Sequence, residues 1–114
     1  MTDTATALDA AFVPDVIGKL VHCLAPAKRD VTSTTKFISD LAYHSLAMAE
    51  LGYIVEDLFE LDALPYEQTM GLETVQDIVD LIQKHLQAGE ATMPTAEQVR
   101  LALAPHGGDW PLAA

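Results

Sequence analysis

Three stretches of this chain place apolar residues every three or four positions, and no segment argues well for a strand. Phe12, Val16, Ile17, Leu20, Val21 and Leu24 fall on one broad face. Met48, Leu51, Ile54, Val55, Leu58 and Phe59 make a second stripe, in a helix expected from Ser45 to about Leu61. At 1.5 Å per residue that helix is roughly 25 Å long. Val75, Ile78, Val79, Ile82 and Leu86 make the third stripe, within "LETVQDIVDLIQKHLQ". Stripes of this kind bury themselves against one another, so an all-α bundle is expected.

Local signals divide the chain further. Pro14 belongs in the first turn of the first helix or kinks it, because it lacks an N–H and crowds the preceding turn. Thr74 and Asp77 have capping-box spacing, with aspartate in place of the usual Glu or Gln, and Gly89 is a natural stop. Thr95 and Gln98 repeat that spacing and predict a short helix from 95 to 104. Residues 25–44 read as a long loop rich in Thr and Ser, with Phe37, Ile38 and Leu41 as anchors to the core. Pro65 and Gly71 bracket one helical turn near Tyr66–Met70. Gly52 interrupts the second helix and would permit another element to approach closely. The expected organisation is a flexible N-terminus (1–7), a folded domain (8–88) and a C-terminal extension (89–114). In the extension, Trp110 either docks on the core or stays free.

The charge balance excludes some functions. Half of the 114 residues are hydrophobic, enough for a modest core, and the net charge is −11. No Lys or Arg occurs between Lys36 and Lys84, while ten acids fall in that interval. Phosphate binding needs the opposite sign, so nucleic acid is not an expected partner. A long acidic window favours partners with basic patches. The longest apolar run is too short to span a bilayer, so no membrane insertion is expected. No secretory signal is apparent, and the single cysteine, Cys23, allows no internal disulfide. Both fit a cytoplasmic location, with Cys23 read as a buried, inert thiol.

The stretch "FISDLAYHSLAMAEL" (37–51) raises the chemical question, because it sets Ser45 directly before the second helix. Ser45 as a nucleophile needs a base within reach. His44 is adjacent, but adjacent side chains at a helix start point apart. There is neither a G-x-S-x-G elbow nor an S-x-x-K. No catalytic residue is expected. His22, His44, His85 and His106 are scattered, and no calcium-loop spacing occurs, so no metal site is expected. Asp77 and Asp80 read as a solvated pair. Local grammar makes Ser45 an N-cap, and the positive end of the helix also suits an attached phosphate.

The same stretch resembles the attachment site of acyl and peptidyl carrier proteins, whose pattern is approximately F-x-x-D-L-G-x-D-S-L before an acidic helix. Phe37, Asp40, Leu41, Ser45 and Leu46 stand in register with it. "LPYEQTMGLETVQDIVDLI" resembles the family's short third helix and its last helix, so the likeness runs from about Leu8 to Leu86. Two positions depart: Ala42 replaces the family glycine, and His44 replaces the family aspartate beside the serine.

The resemblance implies a four-helix bundle, three helices longer and one short, with a long loop between the first two. It implies that a phosphopantetheinyl transferase attaches 4′-phosphopantetheine to Ser45. The arm then carries acyl intermediates as thioesters, and the chain itself is a non-catalytic carrier. Leu46, Glu50, Tyr53, Glu56 and Asp57 match positions turned toward partner enzymes, and His44 becomes a modulator of which partners engage. Implied partners are the transferase, an acyl- or aminoacyl-loading enzyme, and a ketosynthase, condensation or other processing enzyme with basic patches, met by a monomer. The expected function is a discrete acyl carrier of polyketide or fatty-acid type. A peptidyl carrier of nonribosomal synthesis is the near alternative. An unmodified acidic helical adaptor, in which Ser45 only caps its helix, is the alternative of a different class.

Overall fold

Val13, Val16, Ile17, Leu20 and Val21 are wholly buried, and they set the centre of the fold. The computed structural model describes residues 7–27, 29–62 and 71–110. These five side chains lie on α1 (Val13–Leu24), which carries Pro14 in its first turn, where the missing N–H costs nothing. A short 3-10 turn, Ala10–Phe12, leads into it, so the helix starts near Pro14 without a kink. Residues 1–6 of the expected N-terminal segment, and the turn expected near Tyr66–Met70, lie outside the described residues.

The described residues form four more α-helices: α2 (Phe37–Leu41), α3 (Ser45–Leu58), α4 (Val75–Gln87) and α5 (Ala96–Leu103). The described residues contain no strand, only two isolated bridges. The expected all-α bundle is what forms. α3 and α4 both pack on α1, most extensively α4. Its buried residues Val75, Ile78, Val79 and Ile82 are those of the third stripe. The Thr74–Asp77 capping box is present, and Gly89 ends the segment at φ 74°. Amide protons from Glu73 and Thr74 hold the Asp77 carboxyl below the usual range.

The long loop is more ordered than its composition predicts. Three backbone hydrogen bonds tie its second half to the start of α4: Phe37 donates to Glu73 O at 3.0 Å, Val75 to Thr35 O at 3.1 Å, and Gln76 to Ser33 O at 2.9 Å. Inside it, α2 points Phe37 and Leu41 into the core, whereas Ile38 is 76% exposed. The i, i+4 pair shares one face of the turn, and Ile38 faces away. Ile38 is therefore not an anchor. Gly52 has no close neighbour, since a Cβ there meets nothing within 4 Å.

The segment after Gly89 packs on the same core. Thr92 donates to Phe59 O at 2.8 Å, and Leu8 donates to Pro94 O at 2.8 Å. Thr95 and Gln98 form the second capping box, and α5 buries Ala96, Val99 and Leu103 against α1 and α3. Beyond it the chain crosses α1 at Cys23, where a Cβ on Gly108 would meet the sulfur and force it to shift. Trp110 is 8% exposed and meets Phe12 edge-on, with ring centroids 6.2 Å apart. No helix among the described residues is long and apolar enough to cross a membrane.

Candidate functional site

Five consecutive residues set the start of α3. Leu41 is buried and ends α2. Ala42 follows in the left-handed region at φ 58°, with its amide on the carbonyls of Phe37 and Ile38. This is a helix stop that glycine fills without strain, and it falls where the resemblance places a glycine. Tyr43 then turns inward. Its ring lies edge-on to Phe37 at 5.3 Å, and its hydroxyl donates to Val21 O of α1 at 2.6 Å. Burial above all, then the charges of Cys23 and Glu50, pushes that hydroxyl well above the usual phenol range. His44 is extended, and Ser45 begins the helix.

The cap of α3 belongs to His44 rather than to Ser45. The imidazole Nδ1 accepts from the Ala47 amide at 3.3 Å. Accepting requires a lone pair on Nδ1, so a neutral ring carries its proton on Nε2. The reading of Ser45 as N-cap is corrected by this: Ser45 is the first helical residue, exposed, with its hydroxyl not needed to close the turn. His44 is also occupied as an acceptor, which separates it from any role as a base on Ser45. Among the described residues, no group of three or more His, Cys, Asp or Glu side chains is arranged to hold a metal ion.

α3 presents two different flanks. At 100° per residue, Leu46, Glu50, Tyr53 and Asp57 fall within about 60° of one another around the helix. Leu46 and Tyr53 are 74% and 73% exposed, large apolar groups with acids between them. Glu56 lies about 80° from Leu46 by the same spacing, half-buried on the other flank. The strip thus gathers four of the five residues expected to face partners, and Glu56 borders a cleft instead.

That cleft, about 1190 Å³, lies between α3 and α4. Ser45 and His44 stand among its lining, with Met48, Val55, Ile78 and Ile82 supplying apolar wall. An exposed serine hydroxyl at a helix amino end suits a phosphodiester, because the helix dipole favours negative charge there. The apolar cleft beside it suits the hydrocarbon of an attached chain. The site residues therefore fit a phosphopantetheine arm and its cargo.

Helical bundle, exposed serine and acidic helix are the features through which the chain resembles carrier domains. Comparison with known proteins gives the family. The chain is 38% identical over 55 residues to an acyl carrier protein of Thermobifida fusca, covering 48% of this chain and 68% of that protein. It is 36% identical over 55 residues to acyl carrier proteins of Borreliella burgdorferi and Borrelia garinii subsp. bavariensis, with the same coverage. No family model matches the chain, and no solved structure matches it. The chain belongs to the acyl carrier protein family, and its role is that of a carrier rather than an enzyme.

Proposed function

We propose that the chain carries acyl intermediates as thioesters on a 4′-phosphopantetheine arm joined to the Ser45 hydroxyl, and presents them to fatty-acid or polyketide enzymes in the cytoplasm. The observation that carries this reading is the exposed Ser45 hydroxyl at the amino end of α3, at the mouth of an apolar cleft and relieved of capping by His44. An adaptor in which Ser45 merely caps its helix has no use for that arrangement. The arm supplies a thiol. The chain's own residues supply the rest: Ser45 the anchor, the α3 amino end a favourable field for the phosphate, the cleft a shelter for hydrocarbon, and the strip of Leu46, Glu50, Tyr53 and Asp57 an address for basic enzymes. The acidic helix favours acyl over aminoacyl cargo.

The test is intact mass after incubation with coenzyme A and a broad-specificity phosphopantetheinyl transferase. The expected result is a gain of one phosphopantetheine, abolished by Ser45→Ala. No gain with several transferases, or a gain retained in Ser45→Ala, overturns the assignment.

A further inference from the structure

Where the resemblance places an aspartate beside the serine, this chain has His44, and the fold uses only one of its two ring nitrogens. Nδ1 accepts from the Ala47 amide at 3.3 Å. The neutral ring therefore carries its proton on Nε2. Among the described residues that Nε2–H has no acceptor. The side chain is exposed, and it lines the same cleft as Ser45.

The amino end of α3 has further donors to spare. Nδ1 of His44 takes the Ala47 amide, and the His44 carbonyl takes the Met48 amide at 2.9 Å. The amides of Ser45 and Leu46 have no acceptor among the described residues. A phosphodiester joined to the Ser45 hydroxyl is drawn over this end, because free first-turn amides and the helix dipole favour negative charge there. The imidazole lies over the same end, because Nδ1 is fixed to the third amide of the helix. The two residues are consecutive, with Cα atoms about 3.8 Å apart. Neighbouring side chains diverge, which keeps the ring off the serine hydroxyl itself. A phosphate extends that hydroxyl and brings acceptor oxygens back over the helix end, toward Nε2–H.

The other charged side chains along the cleft are Lys36, Glu56 and Glu73. Ionised acids have no proton to give a phosphate. Lys36 stands at the opposite end of α2, as its N-cap residue, whereas His44 adjoins the anchor. An aspartate at position 44 would accept from the Ala47 amide equally well. It would offer no donor and would repel the anion.

We propose that His44 is a positioning residue for the arm: its Nδ1 caps α3, and its Nε2–H donates to a phosphate oxygen of the phosphopantetheine on Ser45. This rests on the carrier reading of Ser45.

The experiment compares the apo chain with the chain modified by a broad-specificity transferase and coenzyme A. Both are followed by imidazole-nitrogen and phosphorus NMR near pH 8, where an ordinary imidazole, with a pKa of about 6.5, is neutral. In the apo chain, Nδ1 of His44 should be unprotonated and Nε2 protonated. On modification the Nε2–H proton should move downfield and exchange more slowly with water. Two variants separate this contact from capping. Asparagine and aspartate are both good N-caps, and only asparagine keeps a donor. The phosphorus signal should therefore stay near its wild-type position in His44→Asn and move in His44→Asp, where the arm should also gain mobility. Lys36→Ala should leave the phosphorus signal in place. An Nε2–H signal unchanged by modification, or the same phosphorus signal and arm mobility in wild type and His44→Asp, overturns the contact and leaves the carrier reading standing. So does an apo ring protonated on Nδ1. A phosphorus signal that moves in Lys36→Ala but not in His44→Asp gives the phosphate to Lys36 and overturns the proposal. A wild-type chain that gains no phosphopantetheine overturns the carrier reading and the contact with it.

Discussion

The imidazole of His44 closes the first turn of α3 by accepting the Ala47 amide proton at 3.3 Å. Aspartate, which the resemblance places at this position, is a stronger N-cap than most residues and adds favourable charge at the helix start. His44→Asp should therefore stabilise the fold by about 0.5 kcal/mol, whereas His44→Ala should cost about 1 kcal/mol. Ser45→Ala should change stability by less than about 0.5 kcal/mol, because the serine is not the cap. Urea denaturation of the three variants checks the assignment, and a larger loss in Ser45→Ala than in His44→Ala would reverse it.

Two residues upstream, Ala42 holds φ 58° at the end of α2. A left-handed conformation costs a residue with a Cβ about 1–2 kcal/mol. Glycine removes that strain and loses about 0.4–1 kcal/mol through its freer unfolded chain. The strain is the larger quantity, so Ala42→Gly should raise stability by about 0.5 kcal/mol. A lower melting temperature in Ala42→Gly would show that the left-handed turn carries no strain.

The Tyr43 hydroxyl is held protonated by burial and by its bond to Val21 O. Its folded value lies above its unfolded value, so this contribution is complete below about pH 10 and is lost as pH rises beyond it. Stability measured from pH 8 upward should fall above about pH 10. Tyr43→Phe should flatten that fall while costing about 1 kcal/mol at neutral pH, since Val21 O loses its donor. An identical alkaline slope in both proteins would sink the assignment.

Trp110 is the only tryptophan, so its emission reports the C-terminal segment alone. With Ala96, Val99 and Leu103 buried in the same core as α1, the segment should melt with the bundle. Tryptophan emission and far-UV ellipticity should give one coincident transition. Trp110→Ala should cost about 3 kcal/mol, the usual loss for a large buried aromatic. An emission change that precedes the loss of helix would mean that the segment docks only loosely.

These elements differ in how far the sequence announces them. α1, α3, α4 and α5 were legible because apolar spacing and capping pairs are local, and both capping boxes formed where Thr74 and Thr95 predicted them. α2 was not, because its five residues hold their place through bonds from the loop to Glu73 and neighbouring residues, far away in sequence. The resemblance marked Ala42 and His44 as departures. Only backbone geometry gives them physical meaning, one as a left-handed stop and the other as the cap of α3.

Charge on the exposed strip gives the last prediction. Glu50 lies 3.7 Å from His106, so reversing it would disturb the C-terminal segment as well as the surface. Asp57 is the cleaner probe, being exposed at the edge of the strip. Asp57→Lys should leave the far-UV spectrum unchanged and lower kcat/KM for transferase modification about tenfold at low salt, because steering between opposite charges is lost. The difference should shrink as ionic strength rises and the Debye length falls to about 8 Å at 0.15 M. Loss that persists unchanged in high salt would point to a shape contact at Asp57 instead. No loss at any salt would remove Asp57 from the docking surface.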